Sequence, residues 1–439
     1  MTTPLSHSLP TGQLITVGAV TTPTVDEFAA EAAAWLEANA TPRPGTDGQP
    51  QPWGEGEFSV SVFHALSFEE EKQLLDELRA WSLTKAENGY HGIALPSEYG
   101  GLGLTKEHAR AFSRLEAGYV TPPRHETFSV TTQLIAPTID LYGTDEQKER
   151  FVEVFYKAEE YCAQLFSEPG AGSDLATLGC RAERDGDEWV INGQKTWSSG
   201  AQFSEWGELI ARSDPSAPKH AGMTAFIVPM DAPGVEIRPI AQMSGGSSFN
   251  EVFFDDVRLP DSARLGPEGE GWKVALTTLS FERDHSDSGG TGGGARAGGS
   301  WRQLLDTARF VGCTDDPVMR QRLMEVYVHT RVEALLNRRA ADLMRDGTPG
   351  PEGSVGKLMW TQGMTLIGNV IGEVLGPRLV ADTGEWGTFA WNEHLLGAPG
   401  YRIAGGSDEV QRNILGERVL GLPGEPRVDK GIPWRDIPR

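Results

Sequence analysis

At 439 residues, 38% hydrophobic and 23% charged, the chain has the make-up of a folded protein with room for a large core or two to three domains, not of a disordered one. Its formal net charge of −23, from 62 acidic against 39 basic residues, repels a phosphate backbone, so no nucleic-acid partner is expected. Three cysteines, Cys162, Cys180 and Cys313, have no CxxC or CxxH spacing, which excludes a disulfide framework and a zinc site and fits a reducing cytoplasm.

No basic leader followed by an apolar run opens the chain, and no stretch of 18 apolar residues occurs, so neither export nor a membrane span is expected. Residues 1–60 form an N-terminal extension with one short helix over 25–40, followed by a Pro- and Gly-rich loop. Over 61–161 apolar residues recur at three- and four-residue intervals, in 68–89, in HARAFSRLEAG and in 145–161, which predicts a helical domain.

Over 162–270 the pattern changes to short β-forming segments, EWVING, EWGELIARSD, MTAFIVPM, GVEIRPI and NEVFFDDVRL, with turns such as Asp185-Gly186 between them. An antiparallel β domain is expected. The helical period returns over 271–425, in WKVALTTLSFER, 319–344, 355–375 and 408–422, and a tail follows over 426–439. The fold class is thus α+β in the order α, β, α. Seven glycines between 289 and 299 suggest a phosphate loop, but no GxxxxGK is present, so a flexible linker is the expectation.

The stretch CAQLFSEPGAGSDLATL, 162–178, is a turn-forming cluster that exposes backbone N–H groups beside Ser167 and Ser173. By itself it is equally a nest for an anion or a carbonyl-rich ring and an ordinary loop entering a β domain. Four blocks together are more specific: 162–174, INGQKTW, FFDDVRLP at 253–260 and GGSDEVQRNILGERVLGLP at 405–423 resemble the acyl-CoA dehydrogenase family, in order and with matching separations. That resemblance implies an N-terminal helical domain, a middle β domain and a C-terminal four-helix bundle, with FAD as cofactor and an acyl-CoA as substrate. It also implies that Gln164, Phe166 and Ser167 meet the flavin pyrimidine edge, that Trp197 covers the isoalloxazine, and that Ser199 lies near its N5 side. Ser407 matches a position that approaches FAD, and Ser173 one that meets the CoA arm.

Such chemistry needs a base for the α proton while the β hydrogen leaves as hydride to the flavin. The family's common glutamate position is here Gly405. Some members carry the glutamate instead on a C-terminal-domain helix just before an arginine, and this chain has Glu282-Arg283 there. Independently, Trp272, Ala275, Leu276 and Leu279 mark an apolar helical face whose next step reaches Glu282 and Arg283. A carboxylate at such a place has its pKa raised toward a useful value. The resemblance makes Glu282 the base and Arg283 a CoA contact.

The chain departs from the family where other members bind the FAD diphosphate of a neighbouring subunit: that region is the glycine-rich segment and FVGCTDDPVMRQ, and the adenine-facing element reads Leu375-Gly376-Pro377. The family then implies either a homo-oligomer, commonly a tetramer, or an α2β2 assembly with a related chain, and an electron-transfer flavoprotein as reoxidant. Two alternatives to a self-sufficient dehydrogenase follow, a non-catalytic or half-site subunit of such a complex and a flavin oxidase or monooxygenase.

Overall fold

A computed structural model describes residues 22–43, 53–56, 58–282, 297–343, 351, 353–424, 426–427 and 429–437. Arg283 and most of the glycine-rich segment, 283–296, lie outside the described residues.

The first layer is helical: α1 Val25–Asn39, α2 Phe68–Ala86, α3 Lys106–Glu116, α4 Glu126–Ser129, α5 Ala136–Tyr142 and α6 Asp145–Tyr156. Thr24, Ser67 and Thr144 start α1, α2 and α6 with reciprocal capping boxes to Glu27, Glu70 and Gln147, which satisfies amide groups a helix start otherwise leaves bare. A small antiparallel pair, β1 Thr41–Pro42 with β2 Tyr119–Val120, ties the ends of α1 and α3 together. A π-helical turn over Val130–Ile135 joins α4 to α5. Pro137, in the first turn of α5, has no N–H to give the carbonyl four residues back, which favours this local widening.

The middle layer is one sheet built from β3 Cys162–Leu165, β4 Arg181–Asp185, β5 Glu188–Ser199, β6 Trp206–Arg212, β7 Met223–Pro229, β8 Val235–Ile240, β9 Phe249–Pro260 and β10 Arg264–Leu265. Strand order is β10-β7-β6-β4-β5-β9-β8, with β3 also on β6. The long pairings are antiparallel as expected, but β3 runs parallel to β6, with Gln164 opposite Glu208. The reason is connectivity: β4 and β5 lie between β3 and β6 in the chain, giving the long crossover a parallel pair requires.

One sheet face packs on the helices, where Ile135, Ile139, Val152 and Phe155 meet Cys162, Ile210, Met223 and, from α7 Gly271–Glu282, Val274 and Ala275. Each such Val, Ile, Phe or Met side chain contributes about 1.5–3 kcal/mol on burial. The other face has its own core around Trp189, Leu209, Phe226 and Val252. The last layer is α8 Trp301–Val311, α9 Pro317–Leu343, α10 Gly353–Leu375, α11 Trp391–Tyr401 and α12 Asp408–Ile414. In it α10 packs against α8, α9, α11 and α12. Its core includes Leu304, Val326, Ile371 and Trp391, whose indole N–H donates to Thr307 Oγ1 at 3.0 Å.

Candidate active site at the meeting of three layers

The end of β3 is fixed by a buried cation. Lys195 on β5, fully buried, donates to the Phe166 carbonyl at 3.0 Å and to Glu168 at 2.7 Å. Glu168 also accepts the amides of Gly179 at 2.6 Å and Cys180 at 2.9 Å. A buried charge is tolerated only when paired and hydrogen-bonded in this way. The Thr196 amide donates to the Ser167 carbonyl at 2.9 Å, so Phe166 and Ser167 are brought beside Trp197.

The β5–β9 ladder shifts register between Lys195 and Ser198, and Trp197, inside the shift, has φ 60° and is 55% exposed. A left-handed non-glycine residue costs about 1–3 kcal/mol, and a bulge is the means by which a strand re-aims one side chain. Gln164, half-buried on β3, has an amide nitrogen Nε2 that is buried without a hydrogen-bond partner. Such an unfilled donor and an exposed indole fit a carbonyl-bearing ring laid across these strands.

Ser199 is joined to a carboxylate that the sequence did not single out. Its hydroxyl donates to Glu126, the first residue of α4, at 3.3 Å, and the Tyr401 hydroxyl at the end of α11 donates to the same carboxylate at 2.5 Å. Tyr401 stacks on Phe63 at 4.9 Å and lies 4.6 Å from Trp360, while Phe249 bridges Phe63 and Trp197 at 5.3 and 5.8 Å. An aromatic run with one carboxylate in it therefore extends from Trp197 into the bundle.

Gly405 follows Tyr401 by four residues and has φ 63°, a conformation a glutamate at that place would adopt only under strain. Ser407 caps α12, its hydroxyl accepting the Val410 amide at 3.3 Å. Ser173 is exposed on the loop beyond the Glu168–Ala171 turn. Glu282 is the last residue of α7 and Arg283 lies outside the described residues. One turn before Glu282, Thr278 donates to Glu208 at 2.8 Å and meets Thr138 at 3.1 Å. Burial drives the Glu208 carboxyl pKa up to about 8, only partly opposed by Thr278.

Three profiles match the chain in order: acyl-CoA dehydrogenase, N-terminal domain, over 63–159, the middle domain over 163–257 and the C-terminal domain over 269–420. The chain belongs to the acyl-CoA dehydrogenase family. It is 37% identical to acyl-CoA dehydrogenase IpdE1 of Mycobacterium tuberculosis over 92% of this chain and 99% of that one. Among solved structures it resembles the Tcur3481-Tcur3483 steroid ACAD, with TM-score 0.69 and 26% identity over 91% of this chain and 98% of that one. The ChsE4-ChsE5 complex from Mycobacterium tuberculosis gives TM-score 0.66 and 27% identity, covering 93% of this chain and 100% of that one.

As an acyl-CoA dehydrogenase the protein is an FAD-dependent oxidoreductase acting on CH–CH bonds. The unfilled Gln164 donor and the exposed Trp197 ring fit that cofactor. Among the described residues no helix is long and apolar enough to cross a membrane.

Proposed function

We propose that the chain dehydrogenates an acyl-CoA thioester to the trans-2-enoyl-CoA, with Glu282 taking the α proton. FAD supplies the acceptor for the β hydrogen, which leaves as hydride. Gln164, Phe166 and Ser167 bind the flavin's pyrimidine edge, Trp197 covers the ring, and Ser199 and Ser407 complete its contacts, while Ser173 and Arg283 hold the CoA arm. The observation that carries this is the convergence at Ser199: a strained, exposed tryptophan two residues before it and, through Glu126, the Tyr401 turn that leads to Gly405. With glycine at 405, the base comes from the end of α7, where Thr278, one turn before Glu282, bonds Glu208 opposite Gln164. A bulky, steroid-derived acyl group is the proposed substrate, supported by the steroid ACAD among its structural relatives. An electron-transfer flavoprotein is the proposed reoxidant.

A second reading, a half-site subunit in an α2β2 complex, has its own support. Met324, Val328, Val332 and Leu335 on α9 are 45, 55, 41 and 62% exposed and recur at helical spacing, an apolar stripe suited to a partner helix. One experiment separates the two. The chain is purified alone, its visible absorption recorded, and a panel of acyl-CoA thioesters tested with an artificial electron acceptor beside Glu282→Gln. A yellow protein whose turnover collapses in the variant supports the self-sufficient dehydrogenase. A colourless, inactive protein overturns it in favour of a partner chain.

A further inference from the structure

The residues beyond the bundle fold back onto the sheet. The Trp434 indole N–H donates to the Thr177 carbonyl at 3.1 Å, its amide to Ala217 at 2.8 Å, and the Arg435 amide to Pro215 at 3.1 Å. The Arg212 guanidinium lies 5.0 Å from the Trp434 ring centre. The tail is thus a strap joining the β6–β7 turn to the loop that follows Asp174.

Under this strap is a cleft of about 260 Å³, lined by Lys219 and His220 from the β6–β7 turn and by Arg427, Asp429 and Lys430 from the tail. Three permanent cations and an imidazole face one lining carboxylate, Asp429, which pairs with Lys219 and lies 3.6 Å from Arg427, with Asp174 at the margin bonded to Lys219 at 2.9 Å. In a chain of net charge −23 this is a local reversal of sign. Arg427 approaches His220 Nε2 to 3.4 Å, and burial, then Arg427 and Lys219, hold the His220 pKa below its ordinary value. Two groups of hydrogen-bond donors, a fork and an ammonium, are what phosphate oxygens are held by.

The cleft lies at a telling distance from the proposed base. Asp174 adjoins Ser173, and Trp272 in the first turn of α7 meets His220 edge-on at 5.2 Å between ring centres. From Trp272, α7 runs ten residues to Glu282, about 15 Å at 1.5 Å per residue. That is the reach of an extended pantetheine arm between a thioester and the first phosphate of CoA.

We infer that the C-terminal tail completes the binding site for the 3′-phosphoadenosine diphosphate end of CoA, with Arg427 and Lys430 joining Lys219 on its phosphates. This rests on the acyl-CoA dehydrogenase reading and deepens it: the chain takes free CoA thioesters in preference to pantetheine thioesters that lack the nucleotide. Trp434 is a positioning residue that keeps the strap closed.

The test titrates 3′,5′-ADP into the purified holoprotein by calorimetry, for the wild type and for Arg427→Ala with Lys430→Ala. In parallel, KM and kcat are measured for one acyl group carried on CoA and on pantetheine. Removing two charge-assisted contacts is expected to weaken 3′,5′-ADP about tenfold or more and to raise KM for the CoA thioester to match, narrowing its advantage over the pantetheine thioester, with kcat little changed. Trp434→Ala moves both in the same direction. Equal 3′,5′-ADP affinity in wild type and double variant overturns the tail site, whatever the turnover. Variant-sensitive 3′,5′-ADP binding in a protein with no turnover on any thioester would instead sink the dehydrogenase reading and leave the nucleotide site standing.

Discussion

Glu126 and Tyr401, 275 residues apart in the chain, share a hydrogen bond of 2.5 Å, and the same carboxylate receives Ser199. A carboxylate can only accept, so both hydroxyls point their protons at Glu126 and leave their oxygen lone pairs for other donors. Tyr401→Phe removes one donor from a half-buried carboxylate and is expected to lower stability by about 1–3 kcal/mol in thermal unfolding. Glu126→Gln brings an N–H into the cluster and turns one hydroxyl round. A shift in the visible absorption of the bound flavin is then expected, and an unshifted spectrum would separate Glu126 from the flavin site.

Trp197 offers a case where stability and function part. Its ring meets Phe249 edge-on at 5.8 Å, yet the residue is 55% exposed and its φ is 60°, so the backbone carries strain for an orientation that leaves much of the side chain in solvent. Trp197→Gly relieves about 1 kcal/mol of left-handed strain while removing the ring. The apoprotein is expected to melt no lower than wild type, whereas FAD retention during gel filtration falls. A variant that melts well below wild type and keeps its flavin would show Trp197 to be a structural residue.

Much of this arrangement was legible in the sequence, for identifiable reasons. The starts of α2 and α6 carry capping boxes, and β5 to β9 carry period-two or continuous apolar runs between turn residues. In the last layer two helices were passed over. In α11, Gly397, Pro399 and Gly400 read as loop signals, yet a Cβ at Gly397 would come within 2.6 Å of Val62, so the glycine is there for close packing. In α8, the Ser300–Gln303 capping box was hidden by the glycine-rich run before it. The site divides along the same line. Gln164, Trp197 and Ser199 sit in contiguous motifs, but Glu126 acquires its meaning from Tyr401 and Ser199, contacts that exist only after folding. Glu208, inside EWGELIAR, reads as one polar residue among apolar ones, and nothing local says that it faces a helix and not water.

Gly200 closes β5 against α4. Its φ is 61°, and a Cβ there would lie 1.7 Å from Thr127 Oγ1. Thr127 is fully buried and its amide donates to His125, whose other ring nitrogen bonds Glu71 at 2.8 Å, so it has little freedom to yield. Gly200→Ala combines overpacking with backbone strain and is expected to cost about 2–5 kcal/mol in chemical unfolding. Adding Thr127→Ala recovers part of the loss and leaves the strain. No recovery in the double variant would place the whole cost in the backbone.

Glu208 makes stability depend on pH in a direction opposite to that of most carboxylates. Its pKa is about 8 in the folded chain against 4.5 for the free group, with burial the cause. Between these values the folded state holds a proton that the unfolded state has released. Stability contributed by this group is therefore intact below about pH 4.5 and falls as pH rises toward 8, at up to roughly 1.4 kcal/mol per pH unit. Other groups titrate in the same range, so the isolating comparison is with Glu208→Gln, which keeps the shape and the hydrogen bond from Thr278 but cannot ionise. The two proteins are expected to have similar midpoints in urea at pH 5, with the variant gaining steadily by pH 8. Parallel curves across that range would mean that Glu208 is already ionised in the folded chain, and that Thr278 and Thr138 solvate it better than their geometry suggests.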